Sequence, residues 1–213
     1  MKSQCSRQLS VIIALIMLLL SMFGCSNQEG QEVQPINSGD PLLRERAARN
    51  AYFKSDANSP IPAGKRNSFK GLEYFPINKE LRFTLRLNRY PNPEQIRLGT
   101  NTGEIRSGLR YGYFEFTVNG QMCRLQVYRM DSASGNGGAY LFVPFRDATS
   151  GQETYASGRY IDLTENTSGI YELDFNRAYN PYCAFNNSYS CPIPPSENTL
   201  SVPISAGEKI PPE

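Results

Sequence analysis

Histidine is absent from this 213-residue chain, and so is tryptophan. Without histidine, neither a Ser–His–Asp triad nor a Cys–His pair can activate a nucleophile. The imidazole ligands of common zinc, copper and iron sites are also missing, and the few thiols cannot complete a tetrahedral zinc site alone. We therefore expect no metal and no cofactor. Without tryptophan, an aromatic wall in a binding site has to use tyrosine, of which the chain has 13.

The N-terminal region combines basic residues, an apolar run and a cysteine in a recognisable order. Lys2 and Arg7 precede an apolar run from Val11 to Phe23, and a small residue stands directly before Cys25. This order resembles a bacterial lipoprotein signal, in which the cysteine is lipidated and becomes the mature N-terminus. The run is shorter than the roughly 20 residues that a transmembrane helix needs. We predict a signal peptide over residues 1–24 and lipidation at Cys25; cleavage elsewhere or an uncleaved anchor is the alternative.

Charge and the residue after the cysteine set the expected location and partners. Ser26 rather than an aspartate follows Cys25, so we expect a lipid-anchored protein of the bacterial envelope, delivered to the outer membrane on its periplasmic or surface face. Beyond residue 24 the chain has 20 basic and 20 acidic residues, a formal net charge of zero. Such a chain has no electrostatic footprint for nucleic acid and no polybasic patch for anionic lipid. The expected membrane contact is the lipid anchor.

Composition divides the remaining chain into a tether and one domain. Residues 25–40 are polar and contain almost no apolar side chains, so they predict a flexible tether. Residues 41–209 are long enough for a single domain with its own core. Asp40 followed by Pro41 is a typical helix start, with an N-cap and a first-turn proline. We therefore predict a helix that opens the domain and ends before Ser59.

Beyond residue 80, apolar and polar residues alternate with a period of two, as is typical of antiparallel strands. The apolar positions are Leu81, Phe83, Leu85, Leu87, Phe114, Phe116, Val118, Cys123, Leu125, Val127, Leu141, Val143, Phe145, Ile161, Leu163, Tyr171, Leu173 and Phe175. Asn119-Gly120 predicts a type I′ hairpin turn. From Asn176 to Leu200 the period disappears but aromatics persist, which predicts a long ordered loop. The predicted fold is mainly β: a single antiparallel β-barrel or sandwich-like domain with an N-terminal helix and this long ordered C-terminal loop.

Several strings of the domain resemble one bacterial family. The strings are PFRDATSGQETYASGRYIDL from Pro144 to Leu163, the segment from Asp174 to Leu200, SPIP at Ser59–Pro62 and GLEYFPI at Gly71–Ile77. They are similar to the family named domain of unknown function 1684, and the resemblance spans Leu43 to Glu208. The family has no established activity, so the resemblance implies none for this chain. It draws attention to the two longest strings.

Charged residues stand among aromatics in these two strings, and two interpretations remain open. One is a partly buried network of ion pairs and hydrogen bonds that ties the loop to the sheet. The other is a pocket for a small polar or anionic ligand, with Arg146 or Arg159 as an anion clamp and Tyr155, Tyr179 or Tyr182 as walls. The candidate ligand-binding residues are Arg146, Asp147, Glu153, Tyr155, Arg159, Asp174, Asn176, Tyr179 and Asn180.

The cysteines that remain after the signal have different expected roles. Cys123 falls on the apolar phase of its strand, which predicts a buried core thiol. Cys183 and Cys191 are close in sequence, and in an oxidising envelope we predict a disulfide between them. Redox catalysis is the alternative, although the C-x-x-C spacing that it usually employs is missing.

Two classes of function follow from these observations. The first is an envelope lipoprotein of uncharacterised role, a non-catalytic binding or scaffold module with a pocket for a small polar ligand. The alternative is an enzyme of unknown reaction that uses carboxylate, tyrosine and arginine side chains without histidine, with Glu153 or Asp174 as general base. The chain contains no complete catalytic constellation, which favours the first class.

Overall fold

A computed structural model describes residues 39–131 and 138–211 of the chain. The predicted signal peptide, the predicted lipidation site Cys25 and all but the last two residues of the predicted tether lie outside the described residues. Within the described residues, no helix is long and apolar enough to cross a membrane.

The domain opens with helix α1, Pro41–Ser55, as predicted. The Asp40 side chain accepts a hydrogen bond from the Leu42 amide at 2.9 Å, and Pro41 occupies the first turn. This cap satisfies one of the amides that have no partner inside the helix. Leu42 and Phe53 are buried, which fixes the face of α1 that packs on the domain.

Seven strands follow α1 in the described part of the chain. They are β1 (Arg82–Arg86), β2 (Asn88–Gly99), β3 (Ile105–Val118), β4 (Gln121–Met130), β5 (Tyr140–Phe145), β6 (Arg159–Leu163) and β7 (Ile170–Asp174). Strands β2 to β6 form an antiparallel sheet in sequence order, and β1 pairs with β7 in a second antiparallel sheet. The mainly β fold class is confirmed, and the arrangement is sandwich-like rather than a closed barrel.

The predicted hairpin turn joins β3 to β4. Asn119 and Gly120 have φ angles of 50° and 77°, and Val118 pairs with Gln121 across the turn. Positive φ at both central positions defines the type I′ turn, whose twist matches that of the flanking strands. The residue pair Asn-Gly tolerates these angles better than most others, so local sequence chemistry determines this connection.

Strand β2 is the main element missed by the prediction. It contains Pro91 and Pro93, is largely exposed, and changes register against β3 between Arg89 and Glu94. Proline cannot donate to a ladder, so it is tolerated at an edge or an irregularity of a sheet. Because β2 is the edge strand of its sheet, it can carry prolines and polar side chains that conceal its strand character.

The two faces of the five-stranded sheet pack against different parts of the chain. Leu141, Val143 and Phe145 belong to the main hydrophobic core, whereas Phe142 belongs to a second cluster. Successive strand side chains point to opposite faces, so the clusters lie on opposite sides of the sheet. We call these sides the core face and the outer face. On β6, Ile161 lies on the core face with the main core, and Tyr160 lies on the outer face.

The C-terminal segment, residues 175–211, covers parts of both faces without forming a long element. It contains three single 3-10 turns, and its Leu200, Val202 and Ile204 enter the main core. Isolated bridges join Tyr160 to Tyr179 and Arg146 to Thr199. The two segments emphasised by the sequence motifs are therefore in contact.

Candidate functional site

Arg159 is a fully buried charged side chain of the motif segments, with 1% of its side chain exposed. Its Nη2 donates to Asp147 Oδ2 at 2.9 Å and to the Ile204 carbonyl at 2.8 Å. Its Nη1 donates to the carbonyls of Ala206 and Glu208. Burial lowers the pKa of Arg159 and Asp147 opposes that change, so the guanidinium remains charged. With four protein acceptors, Arg159 is part of an internal network rather than an anion clamp.

Asp147 connects this network to the turn that precedes β6. Its Oδ1 accepts hydrogen bonds from the Thr149 amide at 2.9 Å, the Thr149 hydroxyl at 2.6 Å and the Ile204 amide at 3.1 Å. Its Oδ2 accepts from Arg159, so both carboxylate oxygens are engaged. A buried carboxylate needs this many donors to offset its lost hydration.

A second buried network surrounds Asp174 at the end of β7. Its Oδ2 lies 2.9 Å from Nε of Arg82, and its Oδ1 accepts from the amide and side-chain nitrogens of Asn176. Asn176 also exchanges hydrogen bonds of 2.8 Å with the backbone of Asn78. These contacts join β7 to the chain just before β1. They leave Asp174 without the exposed oxygen that a general base requires.

Asn180 and Glu208 link the C-terminal segment to helix α1. Glu208 accepts from Arg49 Nε at 2.5 Å through one oxygen and from the Asn180 amide at 2.8 Å through the other. The Asn180 side-chain nitrogen donates to the Lys209 carbonyl at 2.7 Å. Since the Glu208 carbonyl also accepts from Arg159, one residue connects the Arg159 network to α1.

Three other predicted ligand-binding residues lie apart from these networks. Arg146 is half-buried and uses its backbone to pair with Asn198 and Leu200. Glu153 is exposed on a turn. Tyr155 is half-buried near Cys183, and burial raises the pKa of its hydroxyl. None of these three residues lines the cavity of about 460 Å³ that contains Tyr179.

The predicted disulfide between Cys183 and Cys191 is wrong, because both are free thiols. The 3-10 turn Tyr182–Ala184 directs the Cys183 amide toward Cys191 Sγ, at 3.3 Å, so that this sulfur accepts a hydrogen bond. The pKa of Cys191 is lowered to about 7, and the largest cause is the hydrogen bond that the Cys183 thiol donates to the Cys191 sulfur. Cys123 is a buried core thiol, as predicted, and burial raises its pKa.

An open cavity of about 460 Å³ lies against the outer face, where β6, α1 and the C-terminal segment meet. We call it the tyrosine cavity. Its lining residues are Arg49, Tyr160, Asp162, Tyr179, Pro181, Tyr182, Tyr189, Ser190 and Cys191. The tyrosines form two edge-to-face pairs, with ring centroids 5.7 Å apart for Tyr160 and Tyr179 and 5.3 Å apart for Tyr182 and Tyr189. Burial raises the pKa of Tyr182 to about 12, so its hydroxyl is neutral at pH 7.

Asp162 supplies a carboxylate to the tyrosine cavity. Its Oδ2 accepts a hydrogen bond from the Tyr179 hydroxyl at 2.6 Å. The residue as a whole is exposed, yet packing around the carboxylate removes enough water to raise its pKa. The Tyr179 hydrogen bond and the charge of Arg49 oppose this rise only in part. Asp162 is therefore a carboxylate that is partly desolvated at a cavity wall.

Arg49 forms the wall contributed by α1. Its guanidinium carbon lies 4.7 Å from the ring centroid of Phe53 and 4.9 Å from that of Tyr179. Desolvation lowers the pKa of Arg49, but the charge and hydrogen bond of Glu208 outweigh it and raise the pKa overall. Aromatic contacts on two sides and an ion pair at its Nε hold this side chain in one position.

Arg49, Tyr160, Asp162 and Tyr189 were missed as site residues, although a signal for two of them is present in the sequence. Strand alternation puts Tyr160 and Asp162 on one face of β6 and Ile161 on the other. Applying this alternation to the motif segment separates side chains of the core from side chains of the cavity. Arg49 and Tyr189 meet the cavity through tertiary packing, which no local pattern reveals.

Comparison with known proteins places the chain in one family. The family described as Protein of unknown function (DUF1684) matches residues 67–209, and the chain belongs to it. The chain is also similar to an uncharacterized protein of Haloarcula marismortui with a solution NMR structure, at 34% identity and a TM-score of 0.61. That similarity covers 79% of this chain and 91% of the other. No curated protein matches the chain.

Replacing Arg159 by alanine tests the buried network. The change leaves Asp147 and three carbonyls without their shared donor, so we expect the free energy of unfolding to fall by about 3–5 kcal/mol. Arg106→Ala is the matched control, because Arg106 pairs with Glu104 at the surface and its loss should cost less than about 1 kcal/mol. Urea denaturation followed by circular dichroism measures both. Equal losses in the two variants would contradict the network.

The pH dependence of labelling tests the thiol pair. The pKa of Cys191 is lowered from its ordinary value of 9.0 to about 7, so its thiolate forms as the pH rises through about 7. Iodoacetamide should label Cys191 with a midpoint near that pH, whereas buried Cys123 stays unlabelled until the protein unfolds. Cys183→Ala removes the hydrogen-bond donor and should move the midpoint upward. Peptide mass spectrometry measures the extent of labelling at each cysteine. Labelling of Cys191 only after reduction would contradict the free thiol.

Proposed function

We propose that this protein is a lipid-anchored binding module of the bacterial cell envelope and that the tyrosine cavity is its ligand site. The envelope location is supported by the order of basic residues, apolar run and Cys25 in the sequence. The binding role is supported by one observation above all. The tyrosine cavity combines aromatic walls with a carboxylate and an arginine held in fixed positions.

The volume and lining of the cavity suit a small molecule. Ligand pockets usually enclose about 300–1,000 Å³ and combine aromatic walls with a few fixed polar groups. A larger cavity of about 530 Å³ is lined by Ile61, Phe69 and Phe185, but its cationic side chains Lys65 and Lys70 are exposed to solvent. Side chains held in place lose less entropy on binding than free lysines, which favours the tyrosine cavity.

A non-catalytic role fits the positions of the carboxylates named as candidate general bases. Asp174 has both oxygens engaged by Arg82 and Asn176 inside the protein. Glu153 is exposed on a turn. Neither residue lines the tyrosine cavity, so neither can reach a molecule bound there. A ligand in the cavity therefore meets groups that bind and orient it.

Replacing Cys25 by alanine tests the anchor. The variant cannot be lipidated at this position, so we expect it to leave the membrane fraction or to persist as unprocessed precursor. Cys5→Ala is the matched control, because Cys5 lies within the predicted signal and its loss should leave membrane association intact. Membrane fractionation and the mass of the mature N-terminus give the result. A Cys25→Ala protein that is processed and fractionates like the parent contradicts the anchor.

Tyrosine emission provides a direct test of the cavity, because no tryptophan obscures it. A panel of choline, glucose, glycine and citrate covers cationic, neutral, zwitterionic and anionic molecules. We expect at least one to raise the midpoint of thermal unfolding and to change the emission. Tyr189→Ala should abolish this binding, whereas Tyr113→Ala should not, since Tyr113 is a half-buried tyrosine paired with Tyr90 outside the cavity. Absence of binding across the panel, or binding that survives Tyr189→Ala, contradicts the proposed site.

A further inference from the structure

The charges and rings of the tyrosine cavity point to one chemical class of ligand. Resting on the proposed function, we infer that the cavity binds a small organic cation with a quaternary ammonium group. The group is held by the faces of the tyrosine rings and by the carboxylate of Asp162. This inference differs from the anionic ligand expected from the arginines of the sequence motifs.

The Asp162 carboxylate has no ion-pair partner in the described part of the chain. Across residues 39–131 and 138–211, no lysine or arginine lies within ion-pair distance of its carboxylate. Within these described residues, the Tyr179 hydroxyl is the one group that donates a hydrogen bond to the Asp162 carboxylate, at Oδ2. A carboxylate at a cavity wall with a single neutral donor is stabilised by a positive charge brought close to it.

The arginines near the cavity are unsuited to bind an anion. Arg49 is paired with Glu208 at 2.5 Å, so the two charges offset each other at the cavity wall. Arg159 lies on the core face, and both of its terminal nitrogens donate to Asp147 and backbone carbonyls. An anion in the cavity would meet the carboxylate of Asp162 with no unpaired lysine or arginine among the lining residues to offset it.

The tyrosine rings favour a methylated ammonium over a primary one. A primary ammonium brings three N–H donors and needs three acceptors. The Tyr160 hydroxyl already donates to the Pro192 carbonyl and the Tyr179 hydroxyl to Asp162, and the Arg49 guanidinium lies over the Tyr179 ring. The rings of Tyr182 and Tyr189 are therefore the aromatic surface left for a ligand. A quaternary ammonium has no N–H group to satisfy and is attracted to the negative faces of aromatic rings. Aromatic walls with one carboxylate therefore match its chemistry.

Choline and its neutral isostere 3,3-dimethyl-1-butanol separate charge from shape. Both are titrated into the full chain and followed by tyrosine emission and calorimetry. We expect choline to bind at least tenfold more tightly than the isostere. Asp162→Asn keeps the shape of the side chain and removes its charge, so it should weaken choline at least tenfold and leave the isostere unchanged. Glu172→Gln, at an exposed position on β7, should change neither affinity.

The outcomes distinguish this inference from the proposed function. Equal binding of choline and the isostere, or preference for citrate, overturns the inference while the cavity remains a ligand site. No binding of any panel molecule overturns both. Phosphatidylcholine vesicles, titrated against phosphatidylglycerol vesicles, identify the source of the group. If phosphatidylcholine vesicles bind in an Asp162-dependent manner, the quaternary ammonium group belongs to a lipid headgroup. If only free choline binds in an Asp162-dependent manner, the group belongs to a free solute.

Discussion

The guanidinium of Arg159 is the contact on which the rest of the domain depends. Removing a guanidinium from water costs several kcal/mol, and the protein offsets that cost only where acceptors surround the group. Here the acceptors come from two distant parts of the chain, the turn at Asp147 and the backbone of residues 204–208. A C-terminal segment without regular structure of its own is thereby fixed against the sheet. Hydrophobic contacts of Leu200, Val202 and Ile204 then close the main core.

The same contact positions the cavity on the other side of the sheet. Glu208 accepts from Arg159 through its backbone and holds Arg49 and Asn180 through its side chain. Arg49 in turn contacts the Tyr179 ring, and Tyr179 donates to Asp162. The cavity wall is therefore continuous with the buried network through hydrogen bonds, an ion pair and one cation–π contact. Such support restricts the motion of wall residues and lowers the entropy that binding would otherwise remove.

Local chemistry made part of this structure predictable. Asp40-Pro41 fixed the start of α1, Asn119-Gly120 fixed the hairpin, and strand alternation identified the core positions of β5 and β7. Strand β2 escaped prediction because an edge strand with prolines has no alternation to detect. The cavity escaped because Arg49 and Tyr189 meet only through tertiary packing. The disulfide was predicted from sequence proximity and compartment, neither of which specifies how a sulfur faces its neighbour.

Strand β6 serves two purposes through alternate residues. Arg159 and Ile161 face the interior, and Tyr160 and Asp162 face the cavity. A shift of register by one residue would exchange the two sets, so insertions within this strand should be selected against more strongly than substitutions. Substitutions at positions 160 and 162 alter the wall of the tyrosine cavity while the interior contacts of β6 stay in place. The lining of the cavity can therefore diverge among related proteins that retain one scaffold, and these two positions offer a starting point for redesign.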